Sequence, residues 1–328
     1  MAILHPKSLK ETASQRLEHT QANPRQLVLI HTGAIVVLNL VINGLNLYLN
    51  QQISTTGGLS GLGMRSILET IQTLLGYFSM FFTPFWQAGF LFAMISIVRS
   101  TDPGPGSLFQ GFRRFGRIMN YVFWQIIIAI LLGIAVLYLV STLFMMTPFS
   151  AEFAELATSL MESPDILLAD GTLNLEILPM DALIASLIPY FIMYGLVMIP
   201  AYAFVNYHLR MVNFLMIESI PRGAVSSMVV SSHMMRGHKW QMLKLDLSFW
   251  WYYALEMLLM LVLYLDLLLP IMGINLPVDP TVLFFITLLI YGILELGLHI
   301  WKKPQVDLTY AAAYEAIYQE FAAKHIKP

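Results

Sequence analysis

Two acidic residues, Glu256 and Glu295, stand inside long apolar stretches of the sequence. Insertion experiments show that placing a charged side chain at the centre of a membrane helix costs about 2.5–3.5 kcal/mol of free energy. At a rise of about 1.5 Å per residue, Glu256 lies about 14 Å and Glu295 about 9 Å from the basic end of its stretch. The two carboxyl groups therefore fall at a similar depth. His299 follows Glu295 by one helical turn and is a candidate partner for it.

No Lys or Arg lies inside these apolar stretches to neutralise the acids. Both are therefore expected to be protonated, hydrated or hydrogen-bonded to polar neighbours. Intramembrane ionisable residues are often functional, which favours a transport or proton-relay role. The alternative is that they are satisfied packing residues near the interface. A third acid, Asp266, lies close to the other end of its stretch and is expected to reach water.

Asn39 and Asn43, with Asn46, recur at a spacing that places their amides on one face of a helix. We interpret them as interhelical hydrogen-bonding groups, each worth about 0.6 kcal/mol. The alternative is a polar cavity wall, so both asparagines join Glu256, Glu295 and His299 as a candidate intramembrane polar site.

Motifs of known enzyme and metal chemistry are missing from the sequence. It has no G-x-S-x-G, no P-loop and no HExxH motif. It also contains no cysteine, which excludes disulfides and thiolate ligands. We therefore predict a protein that is not an enzyme and has no catalytic residues, no metal site and no cofactor.

The composition indicates the elements that position these residues. Of 328 residues, 57% are hydrophobic and only 12% are charged, about half the charged fraction of a soluble domain. A net charge of −2 gives no basic surface for nucleic acid. We predict an all-α polytopic membrane protein, a bundle of six transmembrane helices with amphipathic interfacial helices. The spans are 27–49, 71–98, 121–146, 183–208, 247–269 and 281–301.

The distribution of basic residues predicts the orientation. Every Lys and Arg except Arg65 falls in the two terminal segments or in the loops after the second and fourth spans. The positive-inside rule then places both termini in the cytoplasm and the acidic segment 147–181 outside. The predicted organisation is a cytoplasmic amphipathic segment, 1–26, a membrane domain, 27–301, and a cytoplasmic C-terminal helix, 302–328.

Residues 226–246 are expected to form a cytoplasmic helix that turns at Gly237 toward the fifth span. Gly suits the end of a helix, and a preceding cation is favoured there by the helix dipole. We interpret this segment as a structural elbow, with a docking surface for a partner as the alternative. The residues of this candidate docking motif are Ser231, Met234, Met235, Arg236, Gly237, His238, Lys239 and Trp240.

The same segment, followed by Leu245-x-Leu247-Ser248-Phe249, resembles the signature of the bacterial domain-of-unknown-function family numbered 975. Further similarities occur along most of the chain, at Leu9-Lys10, Gly89, Phe109-x-Gly111-Phe112, Ile199-Pro200 and Trp301-x-x-Pro304. Gln305 departs from the family's usual Tyr after the closing Pro. The resemblance implies a six-span bacterial membrane protein and no particular activity.

These observations lead to two functional expectations. The first is non-enzymatic transport or binding of a small or amphipathic compound, as a single protein or as a subunit of a membrane complex. The second is a membrane scaffold or assembly factor that acts through its cytoplasmic helices. The expected partners are the lipid bilayer of the bacterial cytoplasmic membrane and other membrane or cytoplasmic subunits. A hydrated cavity at Glu256 and Glu295 would favour the first, and cytoplasmic grooves the second.

Overall fold

The computed structural model describes residues 5–20, 23–55, 62–161, 180–218, 223–265, 268–269, 274 and 278–325. Within these ranges the regular elements are all helical and there is no β-strand. The predicted all-α class is confirmed. Asp266 lies outside the described residues.

Twelve helices and one 3₁₀ turn follow one another along the described chain. They are α1 (Pro6–His19), α2 (Pro24–Thr55), α3 (Leu62–Val98), the 3₁₀ turn (Pro105–Phe109), α4 (Gln110–Arg113), α5 (Phe115–Met145), α6 (Pro148–Met161), α7 (Met180–Leu209), α8 (Val212–Ile217), α9 (Ala224–Met234), α10 (Lys239–Leu247), α11 (Trp250–Leu263) and α12 (Pro280–His325).

Five stretches of helix are long and apolar enough to cross a membrane. They are Pro24–Ile53, Gly63–Val98, Phe115–Met145, Ala185–Ile217 and Thr281–Lys324. The pair α10 and α11 is a sixth candidate, bent by 61° at the break between its helices. The chain is therefore polytopic with five to six spanning elements.

The predicted fifth span, 247–269, differs most from the observed helices. The predicted span begins at the break between α10 and α11. Helix α11 has only 14 residues, whereas a straight span needs about 20. The Ser248 hydroxyl bonds to the Leu245 carbonyl oxygen at 2.6 Å, at the end of α10. A local bond of this kind competes with continuation of the helix.

The chain divides into two compact units, one formed by residues 1–122 and 210–328 and the other by residues 123–209. The first unit contains what we call the terminal layer: α1, the 3₁₀ turn, α4, α8, α9, α10 and residues 302–325 of α12. Many of its apolar side chains are almost completely buried. They include Leu108, Val212, Leu215, Met242, Leu245, Leu308, Ala311, Ala313, Tyr314 and Ile317.

The last helix has a different environment at each end. In its first half, Val282, Leu289 and Ile293 are exposed, as suits contact with lipid, whereas residues 306–317 supply much of the buried core. The helix continues through Pro304 without a break. The predicted boundary at 301 and 302 therefore falls inside one continuous helix.

Backbone contact between α3 and the following turn depends on two glycines. A Cβ added to Gly89 would lie 1.8 Å from the Leu108 carbonyl oxygen, and one added to Gly111 would lie 1.9 Å from that of Phe85. Only glycine fits at such a distance, so both positions fix how the terminal layer sits on α3.

In the second unit, described for α5 to α7, aromatic contacts join the helices. The Tyr190 ring meets the Phe144 ring edge-on at 5.4 Å, and its hydroxyl lies 3.4 Å from the Ser141 hydroxyl. Tyr138 is 76% exposed on α5. Exposed aromatic side chains of this kind suit a surface that faces lipid.

Candidate functional site

The candidate site lies where α2, α11 and α12 meet. The His299 Nε2 atom is 3.2 Å from the Glu256 Oε1 atom, and its Nδ1 atom is 3.1 Å from the Thr32 hydroxyl. The three side chains therefore form one connected chain across three helices. The His299 side chain is only 12% exposed, whereas that of Glu256 is 34% exposed.

Both ring nitrogens of His299 take part in hydrogen bonds, and the position of the ring proton decides which nitrogen donates. When Nε2 carries the proton it donates to Glu256, and Nδ1 accepts a hydrogen bond from the Thr32 hydroxyl. A doubly protonated ring would instead donate from Nδ1 to the hydroxyl oxygen and form an ion pair with the carboxylate. The arrangement therefore accepts either a neutral or a charged imidazole.

Glu295 lies beside Glu256 and His299, and the hydrogen bond of His299 goes to Glu256. The sequence suggested His299 as the partner of Glu295, whereas the structure places the His299 Nε2 atom against Glu256 of another helix. The carboxyl group of Glu295 is half-buried and interacts with the Tyr291 hydroxyl one turn earlier in α12. It also lies close enough to Glu256 and His299 for their charges to interact.

A polar stripe runs along α12 at every fourth residue. Its members are Tyr291, Glu295, His299, Lys303 and Asp307. Residues four apart are neighbours on a helix surface, and the Lys303 ammonium is 3.4 Å from the Asp307 carboxylate. Only Glu295 and His299 of this stripe were selected from the sequence. The regular spacing of four was the signal that would have identified the other three.

Asn39 and Asn43 are placed away from this pair. The Asn43 amide donates to the Asn39 carbonyl oxygen of its own helix at 2.8 Å, and Asn39 is exposed. Within the described part of the chain, neither side chain forms a hydrogen bond with Glu256 or His299. Further along, the Gln72 side-chain amide donates to the Asn46 backbone carbonyl oxygen at 3.1 Å, so this interhelical hydrogen bond does not use the Asn46 side-chain amide.

Three of the eight residues of the candidate docking motif lie in the core. Met234 and Met235 are 2% and 0% exposed, and buried Ser231 accepts a hydrogen bond from the Met211 backbone N–H at 3.1 Å. These three side chains therefore cannot present a surface to a partner, which corrects that part of the docking hypothesis. Gly237 has a φ of +90° in the turn between α9 and α10. This geometry favours the elbow interpretation.

The remaining residues of the motif reach the surface. Arg236 and Lys239 flank the turn, and Trp240 is 63% exposed with the Lys244 ammonium 5.7 Å above its ring. His238 Nε2 lies 3.3 Å from the Glu320 carboxylate of α12. This contact ties the turn to the C-terminal part of the last helix.

An ion cluster that the sequence analysis missed joins α3 to α12 within the first unit. Arg99 contacts Glu218 at 2.7 Å and Glu315 at 2.8 Å, and the buried Tyr314 hydroxyl donates to Glu218 at 2.9 Å. Burial by itself would lower the pKa of Arg99, but its hydrogen bonds to the two carboxylates raise that pKa above its ordinary value. Arg99 is therefore a permanent charge, suited to a structural role.

Comparison with known proteins gives one match. The family model described as "Protein of unknown function (DUF975)" matches residues 4–320, nearly the whole chain. No curated protein and no solved structure matches it.

Proposed function

Since the chain belongs to the DUF975 family of unknown function, we propose a function from the geometry of its polar site. The protein is a non-enzymatic membrane protein that binds or moves a small cationic or amphipathic compound, and a proton competes for the same site. It lies in the bacterial cytoplasmic membrane with both termini in the cytoplasm.

The observation that carries this proposal is the Thr32–His299–Glu256 chain across three helices, with Glu295 beside it. Lys303 is close enough for its charge to act on both carboxyl groups, but it is paired with Asp307, so the two carboxyl groups and the imidazole leave the site with an excess of potential negative charge. Among apolar helices that excess is neutralised by protons, by a bound cation or by contact with water. Because the Glu256 side chain is one-third exposed, a ligand is able to reach it.

A titration with ethidium, a lipophilic cation, tests the proposal. Binding to the purified protein in detergent is followed by fluorescence from acidic to alkaline pH. Affinity should rise with pH as the carboxyl groups lose their protons, and Glu256→Gln should weaken binding at alkaline pH by about tenfold or more. The matched control is Glu69→Gln, which removes an exposed acid paired with Arg65 on α3. Equal binding by all three proteins at every pH would contradict the proposal.

A specific observation also favours the scaffold alternative. A cavity of about 320 Å³ in the terminal layer lies between the turn at Arg236 and His238 and the end of α12 at Phe321. Nearby, Val225, Val229 and Trp240 are exposed on α9 and α10. Such a face suits a further membrane or cytoplasmic subunit. Substituting Val225 and Val229 by Ser should then remove a co-purifying subunit without lowering the yield of the protein itself.

A further inference from the structure

A second cavity, of about 560 Å³, lies between the end of α1, the start of α2 and the middle of α12. Its basic lining residues are Arg25 and Lys302, and its polar lining includes Asn23 and Gln305. Glu18 also lines it and is the acid that opposes the two cations.

The position of this cavity along the helices indicates its depth in the membrane. It opens where the first candidate span begins, at Pro24, and where the apolar part of the last one gives way to Trp301 and Lys302. Trp301 is 60% exposed, and the Lys302 ammonium lies 4.8 Å from its ring centre. Exposed Trp and Lys at the end of a span are typical of the headgroup layer of a membrane. The cavity therefore sits at the depth of lipid phosphates.

The charges around the cavity are incompletely neutralised. Within the described residues, Arg25 forms no ion pair, and the Lys302 ammonium lies over the rings of Trp301 and Trp251. Lys10 of α1 is a third cation nearby. Its pKa is lowered by burial and by the positive charge of Lys302. A bound anion would relieve this repulsion.

Asn23 gives the start of α2 a fixed geometry. Its side-chain oxygen accepts hydrogen bonds from the backbone N–H groups of Arg25 at 3.0 Å and of Gln26 at 3.3 Å. The cap fixes the backbone at Arg25, beside the cavity. The site thus combines a cation at the start of α2, a second cation on another helix and a partly open cavity between them.

We propose that this cavity binds the headgroup phosphate of an anionic phospholipid, held by Arg25 and Lys302. The lipid tail then lies along the exposed apolar surface of the membrane helices. Since the binding involves neither Glu256 nor His299, it is independent of the cation-binding proposal. Its failure would leave that proposal untouched.

The test compares lipid binding by the full chain and by charge variants. The wild-type protein in a neutral detergent is titrated with phosphatidylglycerol, phosphatidylcholine or inorganic phosphate. Its thermal unfolding is recorded at each concentration, and native mass spectrometry detects the lipids that it retains. Phosphatidylglycerol should stabilise the protein and be retained, and the other two should have little effect. With about 1 kcal/mol per basic residue, the variant Arg25→Gln/Lys302→Gln should bind phosphatidylglycerol about 30-fold more weakly.

Two further variants keep the result interpretable. Arg113→Gln/Arg236→Gln removes two exposed cations of the same layer outside this cavity and should bind like the wild type. Arg25→Lys/Lys302→Arg retains both charges and should keep most of the affinity, which separates loss of charge from loss of fold. Equal weakening by the Arg113/Arg236 variant would overturn the proposal. So would equal stabilisation by phosphatidylcholine or by inorganic phosphate.

Discussion

At the scale of single residues, His299 is the centre of the candidate site. Its ring connects a hydroxyl of α2 to a carboxyl group of α11, and it lies on α12. Within this low-dielectric setting, removing one member leaves the others with unsatisfied polar atoms. His299 should therefore contribute to stability as well as to binding.

A double-mutant cycle on Glu256 and His299 tests this coupling. We predict that His299→Ala and Glu256→Ala each lower the free energy of unfolding by about 1–3 kcal/mol, because each leaves a buried or half-buried polar partner without its hydrogen bond. The double variant should lose less than the sum, with a coupling energy of about 0.5–3 kcal/mol. Denaturant unfolding in detergent measures all four proteins. Strict additivity would show that the 3.2 Å contact carries no energy.

The sequence allowed only part of this site to be predicted. Glu256, Glu295 and His299 were identifiable because an ionisable residue in an apolar run is conspicuous. The pairing of His299 with Glu256 was not identifiable from the sequence, since it depends on how α11 and α12 pack. Thr32 gave no signal, because a lone Thr in a span is ordinary. Asn39 was selected by helical spacing alone, and spacing does not reveal which face meets another helix.

At the scale of helices, Gly89 of α3 controls the close contact with the 3₁₀ turn. Gly89 has the Leu108 carbonyl oxygen directly where its Cβ would be, whereas Gly76 of the same helix has no atom within 4 Å of that position. Backbone atoms cannot move aside as a flexible side chain does. The helix and turn would have to separate to admit a methyl group.

This difference provides a matched pair of substitutions. Gly89→Ala should lower the free energy of unfolding by about 2–3 kcal/mol or more through overpacking. Gly76→Ala should be neutral or stabilising by up to about 1 kcal/mol, because alanine favours the helix. Thermal unfolding monitored by circular dichroism compares the two variants. A Gly89→Ala protein as stable as the Gly76→Ala protein would contradict the close approach of α3 to the turn.

Helix content was easier to predict than helix ends. Long apolar runs located the spans because hydropathy reports burial in lipid directly. The elbow at Gly237 was expected from its residue type, and the structure places a turn there. The burial of Met234 and Met235 was not expected, since methionine suits a core and an exposed binding face equally well. The continuity of α12 across residues 301 and 302 was also missed, because the end of the apolar run set the predicted boundary and hydropathy does not report where a helix ends.

At the scale of the whole molecule, charge and hydropathy divide the chain into a membrane part and the terminal layer. Exposed apolar side chains occur along α2, α5 and the first half of α12, whereas the terminal layer holds ion pairs such as Arg210 with Asp246 at 2.9 Å. Basic residues gather on the segments of that layer. This asymmetry is the basis for placing the terminal layer in the cytoplasm.

Because the chain contains no cysteine, its orientation is testable by single substitutions without background labelling. In intact spheroplasts, a membrane-impermeant maleimide should label the Glu152→Cys variant, whose site is exposed on α6. It should label the Glu11→Cys variant, exposed on α1, only after permeabilisation. The reverse pattern would invert the topology, and labelling of both in intact spheroplasts would contradict the predicted number of spans between them.

The central claim is that a cation and a proton compete at the site of Glu256 and Glu295. The most direct measurement is proton release on binding, followed with a pH-sensitive dye when ethidium is added to the purified protein in weak buffer at mildly acidic pH. We predict that the wild-type and Glu69→Gln proteins release protons in proportion to the ethidium bound, and that Glu295→Gln, which removes the half-buried carboxyl group beside Glu256, releases markedly fewer. Ethidium binding without proton release, or equal release by the Glu295→Gln protein, would contradict the claim.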